Sequence, residues 1–204
     1  MQINRPDYYN DLDKIYIKIW DLLITGLANR DDPFHIPTFI CGTTENSNGR
    51  IVVLRGVSQK DKSLWFHSDI RSKKIKILKI NPFSSFLFYD KNKKIQLTIS
   101  CNSKINYQNE ITKKSWTKTA HMSRQCYLGE KGPGTISATP TSGLSENVDN
   151  FKYSIEESEI GYQNFCLVEN FINSVEWLYL AAKGHRRAFF SFKNDLIEKK
   201  WINP

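Results

Sequence analysis

Apolar residues near the start of the chain recur at spacings of three and four, the pattern of a helix with one buried face. They run from Leu12 to Leu27, and three aspartates lie before or within the first turn, where the helix dipole stabilises negative charge. The polar segment 29–33 ends the pattern. The sequence therefore predicts an N-terminal helix within residues 1–33, packed on a larger structure.

After Pro37 the pattern changes to short, β-rich segments separated by polar turns. The predicted strands are 38–44, 50–57, 63–68, 83–89, 94–103, 163–172, 174–181 and 187–192, with Asn173 at a junction between two of them. The segment 50–57 is apolar on both faces, which predicts a central strand. Because no long helices separate the strands, we expect a mostly antiparallel sheet, most simply a small barrel with helices packed outside it.

Three further segments lie between predicted strands. Residues 71–82 (RSKKIKILKINP) predict a short basic helix that ends before Pro82. Residues 109–127 predict weakly patterned helical structure. Residues 129–150 hold six Gly or Pro residues and predict a long surface loop. The chain shows no internal repeat, and we expect residues 1–204 to form a single domain.

Composition excludes several classes of protein. An apolar content of 40% and an aromatic content of 13% exclude wholesale disorder and collagen-like chains. No apolar run approaches the ~20 residues of a membrane span, and the polar start is unlike a signal peptide, so we expect a cytoplasmic protein without a membrane. The four cysteines are too far apart for a zinc site, so we expect no metal and mostly buried, reduced thiols.

The positive charge is concentrated in one part of the chain. The formal net charge is +8, while residues 50–94 alone hold 12 basic and three acidic residues, a net charge of +9. Such a block favours an anionic partner, which could be nucleic acid, an acidic membrane or a small phosphorylated ligand.

The segment 64–74 combines a strand, a turn and the start of the basic helix. Ser68 and Ser72 are residue types that favour a helix N-terminus. A phosphate at this turn would meet backbone N–H groups, one or two hydroxyls and the ammonium groups of Lys73 and Lys74. The alternative is a basic helix whose lysines only face water.

Two arginines bracket the apolar run of the predicted central strand. Arg50 and Arg55 are five positions apart and would face opposite sides of an ideal strand. This segment by itself therefore does not place both arginines on one ligand.

Nine short stretches lead to a known family. They are RIVVLR (50–55), FHSDIRSKK (66–74), LKINP (78–82), FYD (88–90), QL (96–97), Ser123-Arg124, VEWLYL (175–180), GHRR (184–187) and WINP (201–204). In this order and spacing they resemble the pyridoxamine 5′-phosphate oxidase family of flavoproteins. The resemblance implies a mainly β fold with flanking helices, an antiparallel six- to eight-stranded split β-barrel of the FMN-binding type. It also implies a homodimer with FMN at the subunit interface.

The resemblance further implies which residues hold the cofactor. The FMN phosphate would lie on Arg50, Ser72, Lys73 and Lys74. The backbone of Val52, Val53 and Leu54, together with His67, Ser68 and Gln96, would line the isoalloxazine and ribityl parts. Trp177 and Arg187 would reach the flavin from the partner subunit.

Substrate contacts follow from the resemblance in the same way. Arg55 would attract an acidic or phosphorylated small molecule, and the other substrate contacts would be Lys183, His185, Arg124 and Tyr127. Lys183 replaces an arginine of the family's oxidases, and lysine cannot reproduce a bidentate contact. We expect an FMN-dependent oxidoreductase in which the flavin does the electron chemistry. The alternatives are a flavin-binding or storage protein without turnover and, third, a nucleic-acid-binding barrel, for which no motif accompanies the charge.

Overall fold

Strands are the main regular structure of the described chain, which in this computed structural model comprises residues 6–182, 184–193 and 196–204. The strands are β1 (Thr38–Gly42), β2 (Ser47–Ile51), β3 (Gly56–Ser58), β4 (Ser63–Asp69), β5 (Phe83–Asp90), β6 (Ile95–Tyr107), β7 (Phe165–Tyr179), β8 (Arg186–Lys193) and β9 (Leu196–Ile202). The α-helices are α1 (Leu12–Ala28), α2 (Lys73–Ile80), α3 (Glu110–Thr117), α4 (His121–Arg124) and α5 (Glu146–Asp149). Both helical segments predicted between strands are therefore confirmed.

The described residues divide into two units. The first unit holds those within Met1–Phe66, Phe83–Ser103 and Asn170–Pro204, and the second holds His67–Pro82 and Lys104–Glu169. The strands β4, β6 and β7 run through both units.

The strand order in the sheet is β2-β1-β5-β6-β7-β4-β3, with β8 paired to β7 and β9 paired to β8. The registers of β1 with β2 and β5, of β5 with β6 and of β7 with β8 are all antiparallel, as predicted. Sequence analysis missed β9. This strand pairs only with β8, and an edge strand needs one apolar side rather than a continuous apolar run.

The prediction of a central strand at 50–57 is wrong. Its residues are divided between β2 and β3, which lie at opposite ends of the strand order. Between them, the N–H of Val52 donates to the Pro37 carbonyl (3.0 Å) and the N–H of Leu54 donates to the His35 carbonyl (2.9 Å). The side chains of Val52 and Leu54 are buried, so the run is apolar because it crosses the core.

The predicted junction at Asn173 is also wrong. Residues Phe165–Tyr179 form one continuous strand of 15 residues. Asn173 lies within it, exposed, and its side-chain oxygen accepts a hydrogen bond from Asn102 Nδ2 at 3.3 Å. Asparagine usually marks a turn, but here its hydrogen bond to a side-chain amide of another strand keeps it within a continuous strand.

Helix α1 belongs to the first unit and begins at Asp11, whose carboxylate accepts hydrogen bonds from two backbone N–H groups of the first turn. Its Tyr16 ring packs 5.9 Å from that of Phe190 in β8. A Cβ at Gly26 would lie 2.5 Å from Phe34 Cβ, so glycine permits the close approach of α1 to the following turn. The predicted packing of this helix on the strands is thus observed within the first unit.

Each unit has its own aromatic cluster. In the first, the ring of Phe39 lies 4.8 Å from that of Phe66 and 5.1 Å from that of Phe86. In the second, Trp116, Tyr127 and Phe165 pack together. Three of the cysteines, Cys41, Cys101 and Cys166, are buried, and Cys126 is exposed. None of the helices in the described ranges is long and apolar enough to cross a membrane.

The turn between β5 and β6 is built on the buried carboxylate of Asp90. Asp90 Oδ1 accepts hydrogen bonds from the backbone N–H of Asn92 (2.8 Å) and of Lys93 (3.0 Å), and the Lys93 ammonium binds Oδ2. Burial of the carboxyl acts to raise its pKa, but the hydrogen bonds from Lys93 and Asn92 outweigh burial, so the pKa of Asp90 lies below its ordinary 3.8. The ionised form therefore stabilises the fold.

Asp90→Asn should lower the free energy of unfolding at pH 7 by about 1–3 kcal/mol, because it removes a buried acceptor of charge-assisted hydrogen bonds. Since the folded pKa is depressed, the stabilisation is present above the unfolded pKa and is lost as the pH falls through the folded value. Urea unfolding of both proteins, from neutral to acid pH, measures this difference. The exposed Asp21→Asn is the matched control, and a difference independent of pH would contradict the assignment.

Candidate functional site

Two hydroxyls and one ammonium group converge where β4 leads into α2, in the second unit. Ser68 Oγ and Ser72 Oγ lie 3.2 Å apart, and Lys74 Nζ donates to Ser68 Oγ at 2.8 Å and to Ser72 Oγ at 3.4 Å. Both serines are buried and Lys74 is half-buried. We call Ser68, Ser72 and Lys74 the hydroxyl–lysine cluster.

The local sequence explains why this turn keeps its positive charge. Ser72 is the N-cap of α2, yet its hydroxyl does not cap the helix and belongs to the cluster. Asp69 ion-pairs with Arg71 at 2.7 Å, and Arg71 also donates to the Gly129 carbonyl at 3.0 Å. Arg71 is therefore used within the structure. Lys73, exposed in the first turn of α2, adds a second positive charge beside the cluster.

A buried thiol contacts the backbone of the hydroxyl–lysine cluster at Ser68. Cys166 Sγ donates to the Ser68 carbonyl at 3.1 Å. Burial raises the pKa of the Cys166 thiol to about 12, although the nearby Lys74 charge acts to lower it. The thiol therefore stays neutral at physiological pH, and no thiolate competes with an anionic ligand for Lys74.

His67 precedes the cluster, and its ring packs edge-on against Phe165 with centroids 4.8 Å apart. Its Nε2 lies 2.8 Å from Ser115 Oγ, which is hydrogen-bond distance. This pair can hold a proton between the hydroxyl and the ring. Sequence analysis did not single out Ser115, because α3 is weakly patterned and only the fold brings it to His67.

The predicted contacts around β2 lie in the first unit. Arg50 stands opposite Phe39 of β1, and its Nε is buried without a hydrogen-bond partner among the described residues. Arg55 is exposed, with its backbone N–H bonded to the Trp65 carbonyl at 2.9 Å. Among the other predicted contacts of this segment and of β6, Val52 and Leu54 are buried and Val53 and Gln96 are half-buried.

The resemblance predicts that Trp177 and Arg187 contact the same flavin, but the register of β7 and β8 places them on different faces of the sheet. Arg187 pairs with Leu178, whereas Trp177 pairs with Ala188, so Arg187 and Trp177 face opposite sides of the sheet. Trp177 is 0% exposed, and the ring of Tyr8 packs against it with centroids 6.4 Å apart. Trp177 and Arg187 therefore do not share a face of this chain, and the flavin contact of Trp177 stays a prediction.

Arg187 bonds to Glu176, a residue that sequence analysis passed over. Arg187 Nε donates to Glu176 Oε2 at 2.7 Å, and the two side chains share one face of the sheet. The alternation of apolar residues in VEWLYL is the sequence signal that could have indicated Glu176. Apolar residues at 175, 177 and 179 leave Glu176 and Leu178 on the other face.

The two C-terminal stretches of the resemblance meet at a cavity of about 340 Å³ in the first unit. Its lining includes His185, Arg186 and Arg187 from one stretch and residues 201–204 from the other. His185 Nδ1 accepts a hydrogen bond from the Ala181 N–H at 3.2 Å. Lys183, the further predicted substrate contact nearby in sequence, lies outside the described residues.

Arg124 and Tyr127 pack inside the second unit. Arg124 is 4% exposed, donates to the Trp116 carbonyl (3.2 Å) and Ser158 Oγ (3.1 Å), and stacks over the Trp116 ring at 4.6 Å. Tyr127 packs against Trp116 in the same cluster. This packing gives both side chains a structural role, and their contact with substrate stays a prediction.

The architecture is that of a split β-barrel. It is shared with a pyridoxamine 5′-phosphate oxidase-related, FMN-binding protein of Nostoc punctiforme, at a TM-score of 0.74 and 16% identity over 99% of this chain and 100% of that one. It is also shared with PhzG of Burkholderia lata, solved with tetrahydrophenazine-1-carboxylic acid, at a TM-score of 0.70 and 14% identity over 100% and 99% of the two chains. The predicted fold class is therefore confirmed.

The sequence itself is similar to a pyridoxine/pyridoxamine 5′-phosphate oxidase 2 of Arabidopsis thaliana. The two are 23% identical over 93% of this chain and 98% of that protein. No protein-family model matches the chain. The predicted resemblance to the pyridoxamine 5′-phosphate oxidase family is confirmed.

Proposed function

We propose that this protein binds FMN and uses it as an oxidoreductase on a small acidic or phosphorylated substrate. The observation that carries the proposal is the hydroxyl–lysine cluster at the start of α2. Two hydroxyls, an ammonium group and the positive end of a helix are the donors that a phosphate monoester requires. The buried Nε of Arg50, unpartnered within the described ranges, is a donor of the same kind.

The chemistry of each side chain indicates its role in binding FMN and substrate. Lys74 would neutralise the phosphate, Ser68 and Ser72 would donate to its oxygens, and exposed Lys73 would add longer-range attraction. When bound, FMN supplies the electron-accepting ring. The His67–Ser115 pair would hold a proton at His67 Nε2, while Arg55 and His185 would bind the anionic group of the substrate.

A flavin-binding or storage protein without turnover is the second candidate. One observation favours it: Arg124 and Tyr127, expected to contact substrate, are packed in the second unit. Nucleic-acid binding is the third candidate and is disfavoured, because no recognised nucleic-acid-binding motif accompanies the basic block. The homodimer with FMN at its interface and the cytoplasmic location remain predictions.

The purified protein, incubated with FMN and passed through gel filtration, should carry the visible absorption of bound flavin at about one FMN per chain. Quenching of FMN fluorescence measures the dissociation constant. Because FMN would bind only the folded state, a concentration 100 times that constant should stabilise the protein by about 2.7 kcal/mol. Absence of both co-eluting flavin and thermal stabilisation would refute the proposal.

Anaerobic mixing of the loaded protein with candidate substrates separates the two candidate functions. An oxidoreductase should lose its visible flavin absorption on adding a suitable substrate, of which pyridoxamine 5′-phosphate is the first to test. It should regain the absorption when oxygen is admitted. A storage protein should bind FMN with the same affinity and keep the oxidised spectrum throughout.

A further inference from the structure

One face of β7 and β8 carries an ion pair whose geometry fixes the orientation of an arginine. Arg187 donates from both Nε (2.7 Å) and Nη2 to the same oxygen of Glu176, Oε2. Glu176 lies on a cross-strand diagonal from Arg187, because Arg187 pairs with Leu178 and Glu176 pairs with Phe189. The two contacts lock one edge of the planar guanidinium group.

The opposite edge of the guanidinium is left for a ligand. Arg187 Nη1 makes no hydrogen bond within the described part of the chain, and Arg187 lines the cavity that also holds His185 and Trp201. The side chains of Arg187 and Glu176 are 37% and 30% exposed. An ion pair this exposed contributes little to stability.

We propose that Glu176 is a positioning residue, which holds the Arg187 guanidinium so that its outer edge meets bound FMN. The inference rests on the proposed FMN function. A free arginine side chain loses rotamer entropy when it becomes ordered. Glu176 orders Arg187 before the ligand arrives, so less of that cost falls on binding.

The sign of one mutational effect separates positioning from simple electrostatics. Glu176 is negative and FMN carries a phosphate, so a role in charge alone predicts that removing the carboxylate strengthens FMN binding. Positioning predicts the opposite, because the freed guanidinium samples many orientations. Only a positioning role makes the change in FMN affinity on mutating Glu176 depend on the presence of Arg187.

The experiment is a double-mutant cycle read by FMN fluorescence quenching. Glu176→Ala should weaken FMN binding about tenfold, and Glu176→Gln, which keeps one acceptor oxygen, should weaken it less. Arg187→Ala should weaken binding by at least as much as Glu176→Ala, and the double variant should match Arg187→Ala alone. The control is Glu198→Ala on β9, which removes a carboxylate paired with Lys200 at 3.3 Å and should leave FMN affinity unchanged.

Two further readouts exclude a merely structural effect. The melting temperature of the flavin-free Glu176→Ala protein should match that of the wild type, while the visible bands of its bound flavin should shift. Unchanged or tighter FMN binding by Glu176→Ala, or additive losses in the cycle, would overturn the inference.

The failure of this inference can be told from the failure of the proposed function. If the wild type binds FMN and Arg187→Ala binds it equally well, only the positioning role is refuted. If the wild type does not bind FMN, the proposed function and the positioning role are both refuted.

Discussion

Lys74→Ala should weaken FMN binding about 10- to 100-fold, the largest loss expected from any single side chain of the hydroxyl–lysine cluster. Lys74 Nζ is held by Ser68 Oγ at 2.8 Å and by Ser72 Oγ at 3.4 Å, so the ammonium group is positioned before a phosphate arrives. A hydrogen bond to a charged group contributes about 1.5–3 kcal/mol, and each 1.4 kcal/mol changes an affinity tenfold. Fluorescence titration at fixed ionic strength measures the change.

Lys76→Ala provides the matched control, because it removes the same charge from an exposed position of the same helix. It should change FMN affinity by less than about twofold at physiological salt, where exposed charges are screened beyond roughly 8 Å. The melting temperature of flavin-free Lys74→Ala shows whether the turn has kept its fold. Equal losses in the two variants would mean that the phosphate is attracted by the helix charge as a whole and not bound by the cluster.

Local patterns were sufficient for part of this site. The two hydroxyls and the lysine of the hydroxyl–lysine cluster lie within seven consecutive residues, 68–74, where a strand is followed by a helix. Helix-start residues and basic side chains at such a junction are readable from sequence alone. The start of α2 at Lys73 was therefore predictable, and so was the convergence of Ser72 with its neighbours.

Those local patterns do not predict which strands pair or in which register. The run 50–57 was apolar on both faces, which describes a central strand and a core-crossing connection equally well. Only the hydrogen bonds of Val52 and Leu54 to the segment before β1 distinguish the two. The Glu176–Arg187 pair likewise depends on the exact pairing of β7 with β8, which a shift of one residue would abolish.

The contacts also show which basic residues of the block 50–94 have acidic partners. Net charge alone could not show that Arg71 pairs with Asp69 or that Lys93 pairs with Asp90. Each of these two basic residues has an acidic partner two or three positions away, so neither is among the groups open to an anion. The exposed basic residues that remain are Lys73, Lys76 and Lys79 on α2, together with Arg55, Lys60, Lys91 and Lys94.

Trp177→Ala should lower the free energy of unfolding by about 3–5 kcal/mol, the usual cost of removing a large buried aromatic side chain. Trp177 is 0% exposed, and its ring packs 6.4 Å from that of Tyr8 and 6.2 Å from that of Tyr179. Urea unfolding of the flavin-free protein measures the loss. Leu178→Ala, on the opposite face and half-buried, is the matched comparison and should cost considerably less.

Trp177→Phe then separates packing from flavin contact. The indole Nε1 is buried and has no hydrogen-bond partner in the described ranges, so phenylalanine removes an unsatisfied donor while it retains much of the ring packing. We expect this variant to lose less than about 1.5 kcal/mol of stability and to bind FMN within twofold of the wild type. A variant that keeps its stability but loses FMN affinity would support Trp177 as a flavin contact, and would require the segment at Tyr8 to uncover the indole when the cofactor binds.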